Sequence, residues 1–235
     1  MKEPWFPSES SIGKIKIKEC GEPLVNLAYY CLGIKTSLDS DIQLKGIPKG
    51  VRLVRKGFAL KIAKVQEGLS PYGYRLVVHH TYRTPEHQKQ EWEESYKEFK
   101  EKHPELSHRQ LVILTNRYVS PVGKGYSPAH PSGGSGDFDF EIDGDMVDLG
   151  YKMDELSERC SIYYKNLTPE QNKHRIVIMR VIKKNGLTQY PLEFWHVDYN
   201  NALWAACSGR RVALYGTIDS VEWAREHNML ELKSL

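Results

Sequence analysis

Two short segments gather side chains able to bind a metal or move a proton. Ser127 to Asp139 holds His130 and Asp137 among three glycines, and the second segment is Glu193-Phe194-Trp195-His196. Neutral imidazole and carboxylate are zinc donors, and a catalytic zinc commonly takes three protein ligands and leaves a fourth position for water. His130, Asp137 and His196 would make such a set. Glu193, three residues before a ligand, would then be within reach of the water as a base. The glycines let a short loop fold back so that both its ends face one point. The same residues also suit a plain Gly/Ser loop and a core histidine packed beside Trp195, and spacing alone leaves those readings open. On a regular strand, residues three apart point to opposite faces. Glu193 and His196 therefore converge only if the backbone bulges or the water lies at the strand's edge.

The elements that must carry these residues are partly legible. Val51, Val54, Phe58, Ile62, Val65 and Leu69 recur at steps of three or four, which predicts a helix from Pro48 to Leu69. Arg75 to His80 reads as a strand. Thr84 and Pro85 open a helix that runs to Lys102 with Trp92, Tyr96 and Phe99 on one stripe, and Ser107 caps another through Val119. Ser120 to Gly136 reads as a loop. Phe138, Phe140 and Ile142 alternate with Asp139 and Glu141, a half-buried strand whose acids face solvent, and Asp143-Gly144 signals a hairpin. Thr168-Pro169 starts a helix with Ile176, Met179, Val181 and Ile182 inward, stopped by Asn185-Gly186. Leu192 to Tyr199 predicts a strand, Leu203 to Tyr215 a hairpin around Ser208-Gly209, and Asp219 a cap for a last short helix. Helices and strands mix without a regular βαβ alternation, so the expected class is α+β with a mostly antiparallel sheet.

Composition narrows the function classes. In 235 residues, 33 basic and 30 acidic side chains leave a formal charge of +3, which gives no reason to expect nucleic acid or an anionic membrane as partner. No apolar stretch approaches the roughly 20 residues of a bilayer span. The opening MKEPWFPSESS has no apolar core for export, so the expected compartment is the cytoplasm, or the periplasm if a leader was removed. The four cysteines form no C-x-x-C pair and read as free thiols. One domain over residues 1–235 is expected at this length.

The two ligand-bearing segments together resemble the family of D-alanyl-D-alanine dipeptidases, zinc peptidases of the vancomycin-resistance type. That pattern is His-x-x-Gly-x-Ala-x-Asp followed some sixty residues on by Glu-x-x-His. Here His130, Gly133 and Asp137 match, and Glu193-Phe194-Trp195-His196 matches in full. Tyr82-Arg83-Thr84-Pro85, the stretch from Asp148 to Arg159, and Glu22 to Leu27 agree in order, so the likeness spans roughly residues 22 to 200. There are departures. The family's serine two before the first histidine is Pro128 here, its motif alanine is Ser135, and Thr36 to Gly46 matches its substrate-binding stretch poorly.

The resemblance implies one Zn2+ per chain on His130, Asp137 and His196, with Glu193 as the base that takes a proton from water and passes it to the leaving amine. It further implies that Arg83 stabilises the oxyanion and that Asp154 grips the substrate's ammonium group, although Asp154 could instead cap a helix-like stretch to Cys160. The expected substrate is D-alanyl-D-alanine or a similar short D,D-dipeptide. The alternatives are a peptidoglycan carboxypeptidase or endopeptidase of the same zinc architecture, or a non-catalytic zinc-binding module. Residues 201–235 read as a C-terminal elaboration, and an oligomer is compatible with the sequence but not specified by it.

Overall fold

The computed structural model describes residues 5–37 and 44–232. Most of the Thr36–Gly46 stretch that departs from the family pattern thus lies outside the described residues. In chain order the strands are β1 (Lys16–Ile17), β2 (Leu24–Asn26), β3 (Lys35–Thr36), β4 (Leu53–Arg55), β5 (Tyr74–Val78) and β6 (Ser135–Ile142). They continue as β7 (Asp145–Met146), β8 (Thr188–Tyr190), β9 (Glu193–Asp198), β10 (Val212–Ala213) and β11 (Leu230–Glu231). The helices are α1 (Glu9–Ile12), α2 (Leu27–Tyr30), α3 (Lys56–Leu69) and α4 (Pro85–Lys102). After them come α5 (His108–Tyr118), α6 (Pro169–Lys184), α7 (Ala202–Cys207) and α8 (Val221–Glu226).

The class is α+β. The main sheet runs β3-β5-β6-β9-β8, with β7 folded back on β6, and every pairing in it is antiparallel except that of β3 with β5. Two small sheets flank it, β11-β2-β4 and β1-β10. Helices α3 and α6 cover one face, where Phe58, Ile62, Leu76, Phe138, Phe140, Ile178 and Phe194 share a core.

The three polar helix starts form as the caps predict. Thr84 accepts from the His87 amide, while Ser107 and Thr168 each close a capping box with a glutamine three residues on. The Asp143-Gly144 turn joins β6 to β7, with both residues at positive φ.

Five expectations need correction. The apolar stripe from Val51 does not begin a helix: Leu53–Arg55 pairs with β2, and α3 starts only at Lys56. Val54 satisfies helical and strand spacing alike, and the available edge of β2 decides between them. Residues 203–215 are not a hairpin. Asn201 accepts from the Trp204 amide at 2.8 Å and starts α7, and Gly209, at φ 67°, lies past its end. Ser220, not Asp219, caps α8. In α6 Ile176 is 45% exposed, and Arg175 takes its place on the inner face.

Finally, Asp139 and Glu141 do not face open solvent. Glu141 is buried beneath Lys35 and Arg75, at 2.7 and 3.3 Å. Asp139 accepts a bond from Tyr151 at 3.2 Å and lies 3.6 Å from His79 Nε2. Burial raises the Asp139 pKa to about 6.

Among the described residues no helix is long and apolar enough to cross a membrane. The four cysteines are free.

Candidate active site

The site begins as a register. In the β6–β9 ladder Asp137 stands directly opposite His196, so backbone pairing alone brings one carboxylate against one imidazole. Asp137 Oδ1 lies 2.9 Å from His196 Nδ1. His130 arrives from a short 3-10 turn, residues 130–132, that ends at Gly133 with φ 70°. A Cβ on Gly133 would stand 2.6 Å from Leu24, and one on Gly134 would stand 2.5 Å from the Tyr199 carbonyl oxygen. Those two glycines let the turn lie flat against β2 and β9, which places His130 Nε2 3.3 Å from Asp137 Oδ2. One ligand atom from each of His130, Asp137 and His196 lies within 4.8 Å of the others, and all three residues are buried.

The other ring nitrogens fix which atom faces the centre. His130 Nδ1 donates to the Thr81 carbonyl at 2.7 Å, so Nε2 carries the free lone pair. His196 Nε2 donates to Asp198 Oδ1 at 3.2 Å, which leaves Nδ1 to the centre. Such partners on the far nitrogen set ring orientation and ligand basicity in metal sites. The donor set therefore suits a divalent cation in both chemistry and direction. Charge agrees. Asp137, Asp198 and Glu193 crowd two imidazoles, and all five side chains are buried. Burial raises the Glu193 pKa to about 8, helped by Asp137 and Asp154, although His196 and Arg83 oppose it. Burial pushes His196 down, but Asp198 and Asp137 outweigh that and carry it well above the usual histidine range. Both shifts keep a proton on Glu193 and His196 near neutral pH, and a cation held by the three ligands would take over as the counter-charge and leave Glu193 ionised. For Asp137 itself, burial raises the pKa, yet the His130, His196 and His80 contacts win and hold it well below the ordinary range.

Glu193 converges on the same point because β9 is irregular. Pairing steps from Gln189–Val197 to Tyr190–Glu193, so Phe194 to His196 bow out opposite one step of β8. Glu193 Oε2 comes to 3.9 Å from His196 Nδ1. The bulge removes the objection that residues three apart face opposite ways.

Arg83 follows β5, just before α4. Its Nε donates to Gln88 at 2.8 Å and Nη1 lies 3.4 Å from Glu91. The guanidinium is thus aimed by the first two turns of the helix that Thr84 caps. Asp154 is not a helix cap: it sits at φ 60° in the turn that the Glu155 amide closes on the Lys152 carbonyl at 3.0 Å, and Ser157 caps the short turn at 158–160. Arg83, Asp154, Glu193 and the three ligand residues all line one cavity of about 720 Å³.

The structure adds two members. His80 Nδ1 lies 3.3 Å from Asp137 Oδ2. Asp198 was not singled out at all. Its signal was available, since residues two apart on a strand share a face, and His196-x-Asp198 is such a pair.

A sequence model of the family Peptidase_M15, described as D-ala-D-ala dipeptidase, matches residues 41–211. No curated protein matches the chain. A Zn(II) complex of the vancomycin resistance D,D-pentapeptidase VanY, from a VanB-type resistance cassette, is similar at 17% identity and a TM-score of 0.46, over 75% of this chain and 90% of that one. VanYB in complex with D-alanine-D-alanine gives 18% and 0.45, over 72% and 85%. The LdcB LD-carboxypeptidase gives 13% and 0.42, over 97% and 100%.

Proposed function

The chain belongs to the Peptidase_M15 family, and from that premise we propose that this zinc peptidase hydrolyses D-alanyl-D-alanine or a similar short D,D-dipeptide. The observation that carries the reading is the meeting of His130, Asp137 and His196 with a buried carboxylate, Glu193, at their edge.

One Zn2+ per chain would be held by His130 Nε2, the Asp137 carboxylate and His196 Nδ1. When bound it supplies Lewis acidity, enough in other sites to bring the pKa of a water to about 7. The chain's own groups do the rest. Glu193 takes the proton of the attacking water and returns it to the departing amine. Arg83, always charged and held by Gln88 and Glu91, faces the oxygen on which negative charge develops. Asp154 pairs with the substrate's ammonium group at the exposed rim. Thr81 and Asp198 keep the two imidazoles turned inward. Hydrolysis is direct, with no covalent enzyme intermediate. Four free thiols suit a reducing compartment, so the cytoplasm is the proposed location.

A second reading has one observation in its favour. Cavities of roughly 300–1,000 Å³ enclose drug-sized ligands, and about 720 Å³ is more than two alanines fill. A carboxypeptidase acting on longer peptides would use that room. A purely zinc-binding module would have no use for Glu193 and Arg83 on the cavity wall.

The test is metal analysis of the purified protein followed by D-alanine release from D,D-, L,L- and mixed dipeptides and from a pentapeptide ending in D-Ala-D-Ala. Release from the D,D-dipeptide in preference to the pentapeptide supports the first reading, and the reverse order supports the second. A fully zinc-loaded protein that cleaves none of them sinks both.

A further inference from the structure

Residues 5–12 lie outside the stretch matched to the family, yet they help enclose the cavity that holds the metal ligands. Phe6, Pro7, Glu9 and Ile12 all line it. Helix α1 has only four residues, far too few to stand alone in water. Its shape therefore comes from docking, and the docking contacts are specific. The Arg117 guanidinium lies over the Phe6 ring, 5.3 Å from its centroid. Ile12 packs with Ala129, Tyr190 and Leu203, and the Tyr190 ring is itself 6.3 Å from that of His196. Glu9 bonds the Asn116 side chain, which is fixed in turn by the Trp92 indole at 2.7 Å. At the arm's end, a Cβ on Gly13 would stand 2.5 Å from the Gly125 carbonyl oxygen, so the chain runs close against the loop before His130.

The arm is anchored beside the metal ligands and presents an apolar strip with one carboxylate.

We propose that residues 6–12 form a substrate-binding wall that contacts the part of a peptide lying beyond the two residues at the scissile bond. The site then takes peptides longer than a dipeptide, and the arm supplies affinity that a dipeptide does not feel. The proposal rests on the peptidase reading and deepens its second form. Contacts remote from the reacting centre distinguish substrates only when the substrate is long enough to reach them.

Binding tests this without turnover. In zinc-loaded Glu193→Gln protein, calorimetry would compare D-alanyl-D-alanine with a pentapeptide ending in D-Ala-D-Ala. Two variants are placed beside the full chain in that background: one lacking residues 1–12, and Phe6→Ala/Ile12→Ser, which keeps the arm but removes its anchors. Zinc content and melting temperature verify that each variant is folded. Pentapeptide affinity should fall by about tenfold or more in both, while dipeptide affinity stays within about twofold. Equal losses for both peptides, no loss for either, or a full chain that binds the dipeptide and not the pentapeptide would each overturn the arm's role and leave the peptidase reading standing. A zinc-loaded full chain that binds neither peptide overturns both.

Discussion

The floor of the cleft and its walls are built by unlike means. Asp137 and His196 are opposite residues of one ladder, and His130 is pressed against that ladder by a turn whose glycines admit no side chain. Their positions are set by backbone hydrogen bonds, which tolerate little drift. Asp154 lies in a turn at positive φ, Arg83 depends on the first turns of α4, and residues 5–12 are docked through side chains such as Phe6 and Ile12. A metal centre needs its ligands held within a fraction of an ångström and gains from rigid strands. Substrate contacts on loops can change without disturbing it. The three metal-binding residues of the family pattern are all present, although Pro128 and Ser135 beside them depart from it, and Thr36 to Gly46, which the resemblance aligns with substrate binding, matches poorly.

The sharpest way to break the comparison is to remove chemistry from the floor without touching the metal. Glu193→Gln keeps shape and loses the base, so kcat should fall by about 10²–10⁴, the usual worth of a positioned acid–base group, with zinc content unchanged. Loss of zinc along with activity would mean that Glu193 serves the metal rather than the proton. Next in size is Arg83→Met. Taking one oxyanion donor away costs about 10²–10³ in kcat elsewhere, and the same is expected here with little change in KM. A change confined to KM would make Arg83 a substrate-binding group with no part in stabilising the oxyanion.

The floor was also the part most legible in the sequence. His130, Asp137, Glu193 and His196 stand out as candidates by residue type and glycine spacing, the family resemblance chose metal binding over a plain loop and a core histidine, and caps such as Thr84 and Ser107 announce the helices. What could not be read depends on partners distant in the chain. The bulge that turns Glu193 toward His196 exists because β8 pairs on either side of it, and no local pattern encodes that. Leu53–Arg55 is a strand because β2 is beside it. Ala202–Cys207 is a helix because Asn201 caps it, where Ser208-Gly209 alone suggested a turn. Glu141 alternates with phenylalanines as a solvent-facing acid should, and only the pairing of β5 with β6, and of β3 with β5, brings Arg75 and Lys35 over it.

Asp198 tests whether the floor extends one layer down. It accepts from His196 Nε2 at 3.2 Å and from Asn201 at 2.7 Å. Partners of this kind contribute about 10–100-fold to metal affinity. Asp198→Ala should weaken zinc binding by that factor in competition with a chelator, and excess zinc should restore most of the activity. Unchanged affinity would confine the floor to the ligands themselves.

The smallest effect comes from the far end of β6. Asp137 and Glu141 share a face of β6, but the cations over Glu141 are half exposed, 47% for Lys35 and 51% for Arg75. The Lys35 bond, followed by the charges of Lys35 and Arg75, lowers the Glu141 pKa against the effect of its burial. A carboxyl lowered on folding adds stability above its unfolded pKa, and that stability is lost as pH falls through the folded value. The pair is screened by water, so its worth is about 0.2–1 kcal/mol. Glu141→Gln should lower the melting temperature slightly at pH 7, and that deficit should shrink and vanish as the pH falls below about 4.5. Zinc content should not move, because the charge lies four residues along the strand from the ligand and is tied to β3 and β5. A deficit that persists unchanged at low pH would show that Glu141 acts through packing. Loss of zinc in this variant would show that the acidic face of β6 behaves as one electrostatic unit, and the floor would then reach the whole length of the strand.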